Sequence, residues 1–521
     1  MQRLIGVLAL SAPLLIGQVP NPVTSGSFFD IAGTVLDAST GRPVTRAQIT
    51  LQPEQAGNPQ ETLSDDSGGF EFRHVALGAY RLVSTKRGYA GGDASYRKVI
   101  LVGGTQPDRF TLKLQPQAVL GGSVVDQNNE PIAEARVLLL RPEFAFGHRK
   151  LGIATTTQTD DQGKFRFYGL GGGRAYVEAV VTANGAELAH RRAYPPTLYP
   201  NSTELPGAQI IDLQPDAEQQ ISIQLTSEDC YRIHGQLNPA VREADIELRP
   251  TPANEGMEPP AQVRFNARDA SFDIDGVTAG DYLITVEVDT GGKKRVIYHP
   301  LSVDGDQSNI TLDLTAAQPL TGTVTAEGGQ PARHAATEIQ FRQGAAALGG
   351  AVQANGTFQI GPLPPGVWRI EGVLAPGWYI KAATLAGADL LSQGLTSRGE
   401  SLPGALQVLV SPRGGTLEAT VTWPDQGDRS PAVVTILQRQ QNEMVRVASA
   451  QVAAPNEPAV TRPALIGGLP PGDYIAYAFP EPVDVEYSNP EALRPLESFA
   501  EKIHVDEKGQ SQVALKIAIA P

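Results

Sequence analysis

The chain contains a single cysteine, Cys230, in 521 residues. No intrachain disulfide can form, and no cysteine-based zinc site can be assembled. Histidine is also scarce, with seven residues and no metal-ligand spacing among them. Charged residues make up only 19% of the chain, and their balance is acidic, with a formal net charge of −14. No basic stripe offsets that charge, so the chain repels polyanions, which argues against nucleic acid as a partner. Beyond the N-terminus no uninterrupted apolar run reaches the roughly 18 residues that a membrane-crossing helix needs. What is abundant is turn chemistry: 54 glycines and 41 prolines stand beside 41% apolar residues. That mixture is too apolar for disorder and suits short strands joined by tight turns. The length exceeds what one hydrophobic core serves, so several domains are expected.

The N-terminus reads "MQRLIGVLALSAPLLIGQVPNP". One cation, Arg3, precedes an apolar run that ends in polar, proline-rich sequence. The run has the length of a signal-peptide core and is too short to span a bilayer. It predicts a signal peptide over residues 1–20 and an exported chain (periplasmic, cell-surface or extracellular) without a transmembrane segment.

The rest of the chain repeats itself. The stretch "TDDQGKFRFYGLGGGRAYVEAVV" places Asp161, Gly163, Phe165, Phe167, Leu170, Gly173 and Tyr176 in series. Related series run through Phe70, Phe72, Val75, Gly78 and Tyr80, and through Phe272, Ile274, Val277, Gly280 and Tyr282. A fourth copy holds Phe358, Ile360, Leu363, Gly366 and Trp368. The fifth is degenerate, with Ala464 at the Phe position and Leu469, Gly472 and Tyr474 in register. Only the second copy has an extra residue before its aromatic. Phe at alternate positions puts both rings on one strand face, and the preceding Asp and Gly suit a tight turn. Each aromatic is expected to start the next strand and rejoin the same core. The copies are preceded by "FDIAGTVLD", "VLGGSVVDQ", "YRIHGQLNP", "PLTGTVTAE" and "GTLEATVTW", which align Gly33, Gly122, Gly235, Gly322 and Ala419. Opening strands recur roughly every 90 to 110 residues, the size of a sandwich of about seven strands. The spacing predicts an all-β chain of five tandem sandwich modules, at 27–115, 117–226, 230–315, 318–412 and 414–521. Linkers are nearly absent, which predicts a semi-extended, moderately stiff rod.

The series D-x-x-G-x-F-x-F-x-x-L-x-x-G-x-Y, with its opening strand, resembles the carboxypeptidase regulatory-like domain. The resemblance is clear in the first two copies, fair in the third and fourth, and weak in the fifth. It implies transthyretin-like or Ig-like β-sandwiches, similar to the collagen-adhesin B-type repeat and to starch-binding-like folds, in a multi-module secreted bacterial protein. It supplies no function by itself.

Enzymatic readings find little support. The family name suggests a zinc carboxypeptidase, whose HxxE motif occurs once as His504 and Glu507, but no second histidine follows. There is no Gly-x-Ser-x-Gly elbow and no phosphate-cradling loop. Glu178 and Glu371 lie where the adhesin relatives carry an isopeptide glutamate, yet the opening strands "VLGGSVVDQ" and "PLTGTVTAE" offer no lysine. Asp65 with Asp66, and Asp160 with Asp161, are candidate calcium ligands, for which turn chemistry is the simpler account. Asp273 and Asp275 alternate with Phe272 and Ile274, as on the wet face of a strand. No cofactor is called for.

A binding role would fall on loops. "RRAYPPTLYPNS" offers Arg191, Arg192, Tyr194, Tyr199 and Asn201, and Trp378 is a further exposed-aromatic candidate. Proline-stiffened tyrosines suit a sugar ring or a flat protein partner. In "FPEPVDVEYSNPEALRPLESF", Asn489 before Pro490 predicts a capped short helix. The reading is a non-catalytic exported scaffold, adhesion or protein-interaction rod that binds envelope or extracellular proteins. The alternative is a carbohydrate-binding protein of starch-binding-like type. Phe70, Tyr80, Phe165, Tyr176, Phe272, Tyr282, Phe358, Trp368 and Tyr474 are expected to be structural braces.

Overall fold

The structure, a computed structural model, describes residues 28–519 except 55–56, 91–95, 102–108, 183–187, 252–260, 290–293, 316–317, 329–333, 425–430, 441–442 and 454–460. The expected signal segment lies outside the described residues. No described helix is long and apolar enough to cross a membrane. The chain divides into two compact units, Met1–Pro116 and Gln117–Pro521.

In the first unit two four-stranded sheets face each other. The opening strand Phe29–Asp37 pairs antiparallel with Gly69–Val75 and parallel with Phe110–Pro116. The second sheet is built on Gln48–Pro53 against Gly78–Thr85. Alternate residues of the opening strand, among them Phe29, Ile31 and Val35, are buried between the sheets with Ile49, Leu51 and Leu82.

The same pairing scheme recurs four times in the second unit. The strands Ala118–Val125, Glu228–Asn238, Leu320–Ala326 and Gly415–Thr422 each pair antiparallel with the strand of the Phe position. Each also pairs parallel with a later strand: Glu218–Gln224, Gln307–Asp313, Leu406–Ser411 and Gln510–Lys516. Each has an opposing sheet whose aromatic-bearing strand pairs antiparallel with the strand after the opener. Separate apolar clusters fill the four sandwiches. We number the sandwiches repeats 1 to 5.

The register explains the recurrent residues. Gly33, Gly122, Gly235 and Gly322 sit directly opposite Phe70, Phe165, Phe272 and Phe358. A Cβ on any of the four would stand 2.2–2.7 Å from Cζ of that ring. The ring therefore lies flat across the space a side chain would occupy, and all four phenylalanines are buried. In repeat 5 the opposing pair is Ala419 and Ala464, both buried. The small-for-large exchange occurs on both strands together.

The later aromatics lock the next strand to its own approach. Tyr80 Oη donates to the Ala76 carbonyl at 3.0 Å, Tyr282 to Thr278 at 3.1 Å, and Tyr474 to Pro470 at 2.5 Å. In repeat 4 the indole Nε1 of Trp368 makes the same bond to Pro364 at 2.9 Å. Each donor reaches the carbonyl four residues earlier. Tyr176 departs from the expected common core. Its extra residue reverses the strand face, so Ala175 enters the sandwich and Tyr176 enters a second apolar cluster outside it. A one-residue shift exchanges faces because the side-chain period is two.

The turns before the phenylalanines are capped one residue earlier than the repeat alignment placed them. Asp160, not Asp161, accepts from the backbone N–H groups of Gln162 and Lys164, at 2.9 and 2.8 Å. Asp65 does the same for Ser67 and Gly69, at 2.8 and 2.7 Å. The hydrogen bonds from Ser67 and Gly69 hold the Asp65 carboxyl below its ordinary range. Gly163 completes its turn at φ +70°, where a side chain would be strained.

Candidate binding surfaces

The loop that promised exposed arginines and tyrosines is largely used up inside the chain. Arg191 pairs with Asp306 and Arg192 with Asp229 at 2.8 Å, both partners belonging to repeat 3. Arg192 also donates to Ser227. The short strand Arg192–Ala193 pairs with Glu228–Asp229 of the repeat 3 opener. These arginines clamp repeat 2 to repeat 3, because a cation one residue from a strand crossing meets the acidic start of the next strand. Tyr194 and Tyr199 are half-buried and pack on the repeat 2 core, while Asn201 is exposed. Sequence places all five in one loop, but the structure does not gather them on one face. Trp378 is also half-buried, packed on the repeat 4 core where repeat 5 begins. Gly414 N–H donates to Gly377 O at 3.1 Å beside it.

Asp273 and Asp275 lie on the face opposite the core residues Phe272 and Ile274, where exposed cations cover them. Asp275 is buried and pairs with Arg264 and Arg232, and Asp273 pairs with Arg232 at 2.6 Å and His234 at 2.9 Å. Those neighbouring strands carry long cations that fold over the carboxylates. The HxxE residues separate: His504 binds Asp473 at 2.7 Å, and Glu507 faces Arg413 at 3.5 Å. The Asp473 hydrogen bond raises the His504 pKa. Among the described residues no three His, Cys, Asp or Glu side chains come together as metal ligands would.

A contact that the sequence reading missed joins distant repeats. The hairpin of Arg136–Ala145 and His148–Gln158 ends in Phe146–Gly147, at φ +53° and +82°. Its tip reaches repeats 4 and 5. The Arg342 guanidinium lies 3.6 Å from the Phe146 ring centre, and that of Arg446 lies 4.4 Å away. Ser488 donates both its hydroxyl, at 2.6 Å, and its backbone N–H, at 3.1 Å, to the Gly147 carbonyl. A Cβ on Gly147 would stand 2.2 Å from the Tyr487 ring. The helix Pro490–Leu493 that follows is capped by Asn489, as its Asn-Pro pair predicts. Repeats 2 to 5 are therefore not the extended string that short linkers suggested. Side-chain contacts across 341 residues close repeat 2 onto repeat 5. The sequence trace of this contact is the Phe146–Gly147 pair at the hairpin tip.

Beside this contact lies a cleft of about 280 Å³ lined by His148, Val367, Arg369 and Met444, among others. Its carboxylates are already paired, Glu371 with Arg342 at 2.9 Å and Glu443 with Arg369 at 2.6 Å. A larger, more polar cleft of about 1070 Å³ runs along repeat 2 past Glu134, Arg136, Gln158 and Tyr194. Both have ionic and apolar walls.

Glu178 stands apart. It is fully buried, and neither carboxyl oxygen has a hydrogen-bond partner. Burial pushes its pKa up to about 8, against an opposing pull from Arg136. The carboxyl is therefore protonated at neutral pH.

These features define a chain of β-sandwiches whose recurrent residues are core and joint. Residues 30–115 match the carboxypeptidase regulatory-like domain, and repeat 1 is a domain of that family. No curated protein matches the chain. Among solved structures, the TIE protein of Bacillus anthracis shares 14% identity with a TM-score of 0.17, covering 55% of this chain and 50% of that one. This chain thus spans about half of that structure. The minor pilin GBS52 of Streptococcus agalactiae shares 14% identity, with a TM-score of 0.23, over 38% of this chain and 96% of its own. BcpA, the major pilin subunit of Bacillus cereus, shares 10%, with a TM-score of 0.17, over 55% and 99%. TM-scores of this size bear on neither partners nor role.

Proposed function

We propose that the chain is a non-catalytic exported scaffold that presents sandwich surfaces to other envelope or extracellular proteins. The observation that carries this reading is where the recurrent residues go. The Gly–Phe pairs and the aromatic-to-carbonyl bonds lie inside or against cores, and the clustered charges pair between strands or across joints. Nothing so used is free to do chemistry on a substrate. The apolar N-terminal run supports export through a signal peptide at 1–20. We place five modules at 27–115, 117–226, 230–315, 318–412 and 414–521, a division supported by the recurrent pairing scheme, in which the third opening strand begins at Glu228.

The test is proximity cross-linking of the full-length chain in its native envelope, run beside a glycan array. Reproducible cross-links from repeat surfaces to particular proteins, with no saturable glycan binding, are expected. Saturable sugar binding abolished by Tyr194→Ala or Trp378→Ala would replace this reading with the carbohydrate-binding one.

A further inference from the structure

Repeat 2 carries a second apolar cluster outside its sandwich, and Glu178 sits on that face. The strand Gly173–Val180 sends Ala175, Val177 and Ala179 into the core and Tyr176 and Val180 to the other side. By alternation Glu178 joins Tyr176 and Val180, with Leu138, Leu140, Leu151 and Leu198 in the same cluster. One segment edges and covers the cluster through Leu198, Leu205 and Ala208, while its Tyr199, Ile211 and Leu213 pack in the sandwich core. Thr197–Leu198 pairs with Glu178–Ala179, Tyr199 N–H donates to Val177 O at 2.8 Å, and Ile211–Leu213 pairs with Gly173–Ala175. Leu205 and Ala208, between those points, pack on the cluster. This segment, the roof, is thus held along the edge of the strand that carries a carboxyl with no partner, and it is also tied to the facing sheet by Gln224 N–H to Pro200 O at 3.0 Å and Gln219 Nε2 to Asp212 O at 2.9 Å.

We propose that Glu178 is a proton-operated latch: its neutral carboxyl lets residues 194–213 lie on the repeat 2 sheet, and its ionisation frees them. Charged groups on the surrounding elements do not rescue the anion. Arg136, on the strand paired with Gly173–Val180, acts on Glu178 from a distance without a hydrogen bond. Arg141 on the same strand donates to the carbonyls of Gly171 and Gly172. Lys150 of the outer strand pairs with Glu143 at 3.2 Å. Glu204 and Asp212 on the same segment are exposed, and Asp212 lies opposite Arg174 of the Glu178 strand. The segment leading into the roof holds repeat 3 through Arg192–Ala193, so opening it also loosens the joint between the two repeats.

The pH dependence has a definite sign. With the roof off, Glu178 is solvated and titrates near the ordinary value of about 4.3. With it on, the pKa is about 8. Between the two the closed form holds the extra proton, so closure is fully stable below the lower value and weakens until the upper. The opening constant therefore rises about tenfold per pH unit between about pH 5 and about pH 8, then levels.

Hydrogen exchange of the full chain, read by mass spectrometry on peptides from 194–213 and corrected for intrinsic rates, measures that constant. The wild type is expected to show the tenfold slope and Glu178→Gln none. A flat wild-type profile, or a Glu178→Gln profile that follows the wild type, overturns the latch. Should Glu178→Gln disrupt repeat 2, carbon-13 NMR of the wild-type glutamate carboxyls decides instead. A carboxyl titrating near 8, assigned through Glu178→Asp, supports the latch, and titration of Glu178 near 4 overturns it.

Discussion

Repeats 3 and 5 solve one packing problem in two ways. In repeat 3 the opener gives up its side chain at Gly235, and Phe272 lays its ring across the gap from the facing strand. In repeat 5 each strand contributes a methyl, Ala419 opposite Ala464, and the core takes in Trp423 instead. The glycine and the phenylalanine are one device, not two recurrent residues. Either half makes sense only in the presence of the other, which is why both disappear together. The fold tolerates the exchange because the strand pairing, antiparallel on one side and parallel on the other, is unchanged.

The comparison can be broken most severely by removing the ring. Phe272→Ala should cost repeat 3 about 3–5 kcal/mol, seen as early loss of exchange protection in its peptides during urea unfolding. Ala464→Phe should also destabilise repeat 5, by about 1–3 kcal/mol, since Ala419 occupies the space the ring needs. Pairing it with Ala419→Gly should recover part of that loss, and strictly additive costs would refute the device. Adding the methyl from the other side, as Gly322→Ala, should cost repeat 4 about 1–3 kcal/mol, because the new Cβ meets both Phe358 and the Leu406 carbonyl. The brace is smaller. Tyr282→Phe removes the bond to Thr278 and should cost about 1 kcal/mol, whereas Tyr176→Phe, whose residue faces the other cluster, should leave the repeat 2 sandwich core unmoved. Equal losses in the two variants would show that the shifted tyrosine still acts as a brace.

Much of this was legible in the chain. The alternation of Phe70 with Phe72 and of Phe165 with Phe167 fixed strands and their buried faces, because period two needs no tertiary information. Asn489–Pro490 announced its short helix for a similarly local reason. The errors arose where one residue decided the outcome or where the partner was distant. Asp160 rather than Asp161 caps its turn, since the bonds run to residues two and four positions on, a geometry that adjacent aspartates conceal. The loop of Arg191 and Arg192 looked like open surface, because Asp306 and Asp229 lie beyond any local window. Glu178 was noted for its position, but its isolation depends on a roof that begins with Thr197–Leu198.

By itself, the sequence determined the strands, their buried faces and the fivefold recurrence, since these follow from side-chain alternation and turn chemistry within a few residues. The tertiary structure alone decided which carboxyls are paired, which carboxyl is stranded, and that Phe146 meets Arg342 and Arg446. Burial and charge pairing are properties of the space between segments, and Ser488 and Gly147 share a hydrogen bond across 341 residues that no local pattern encodes.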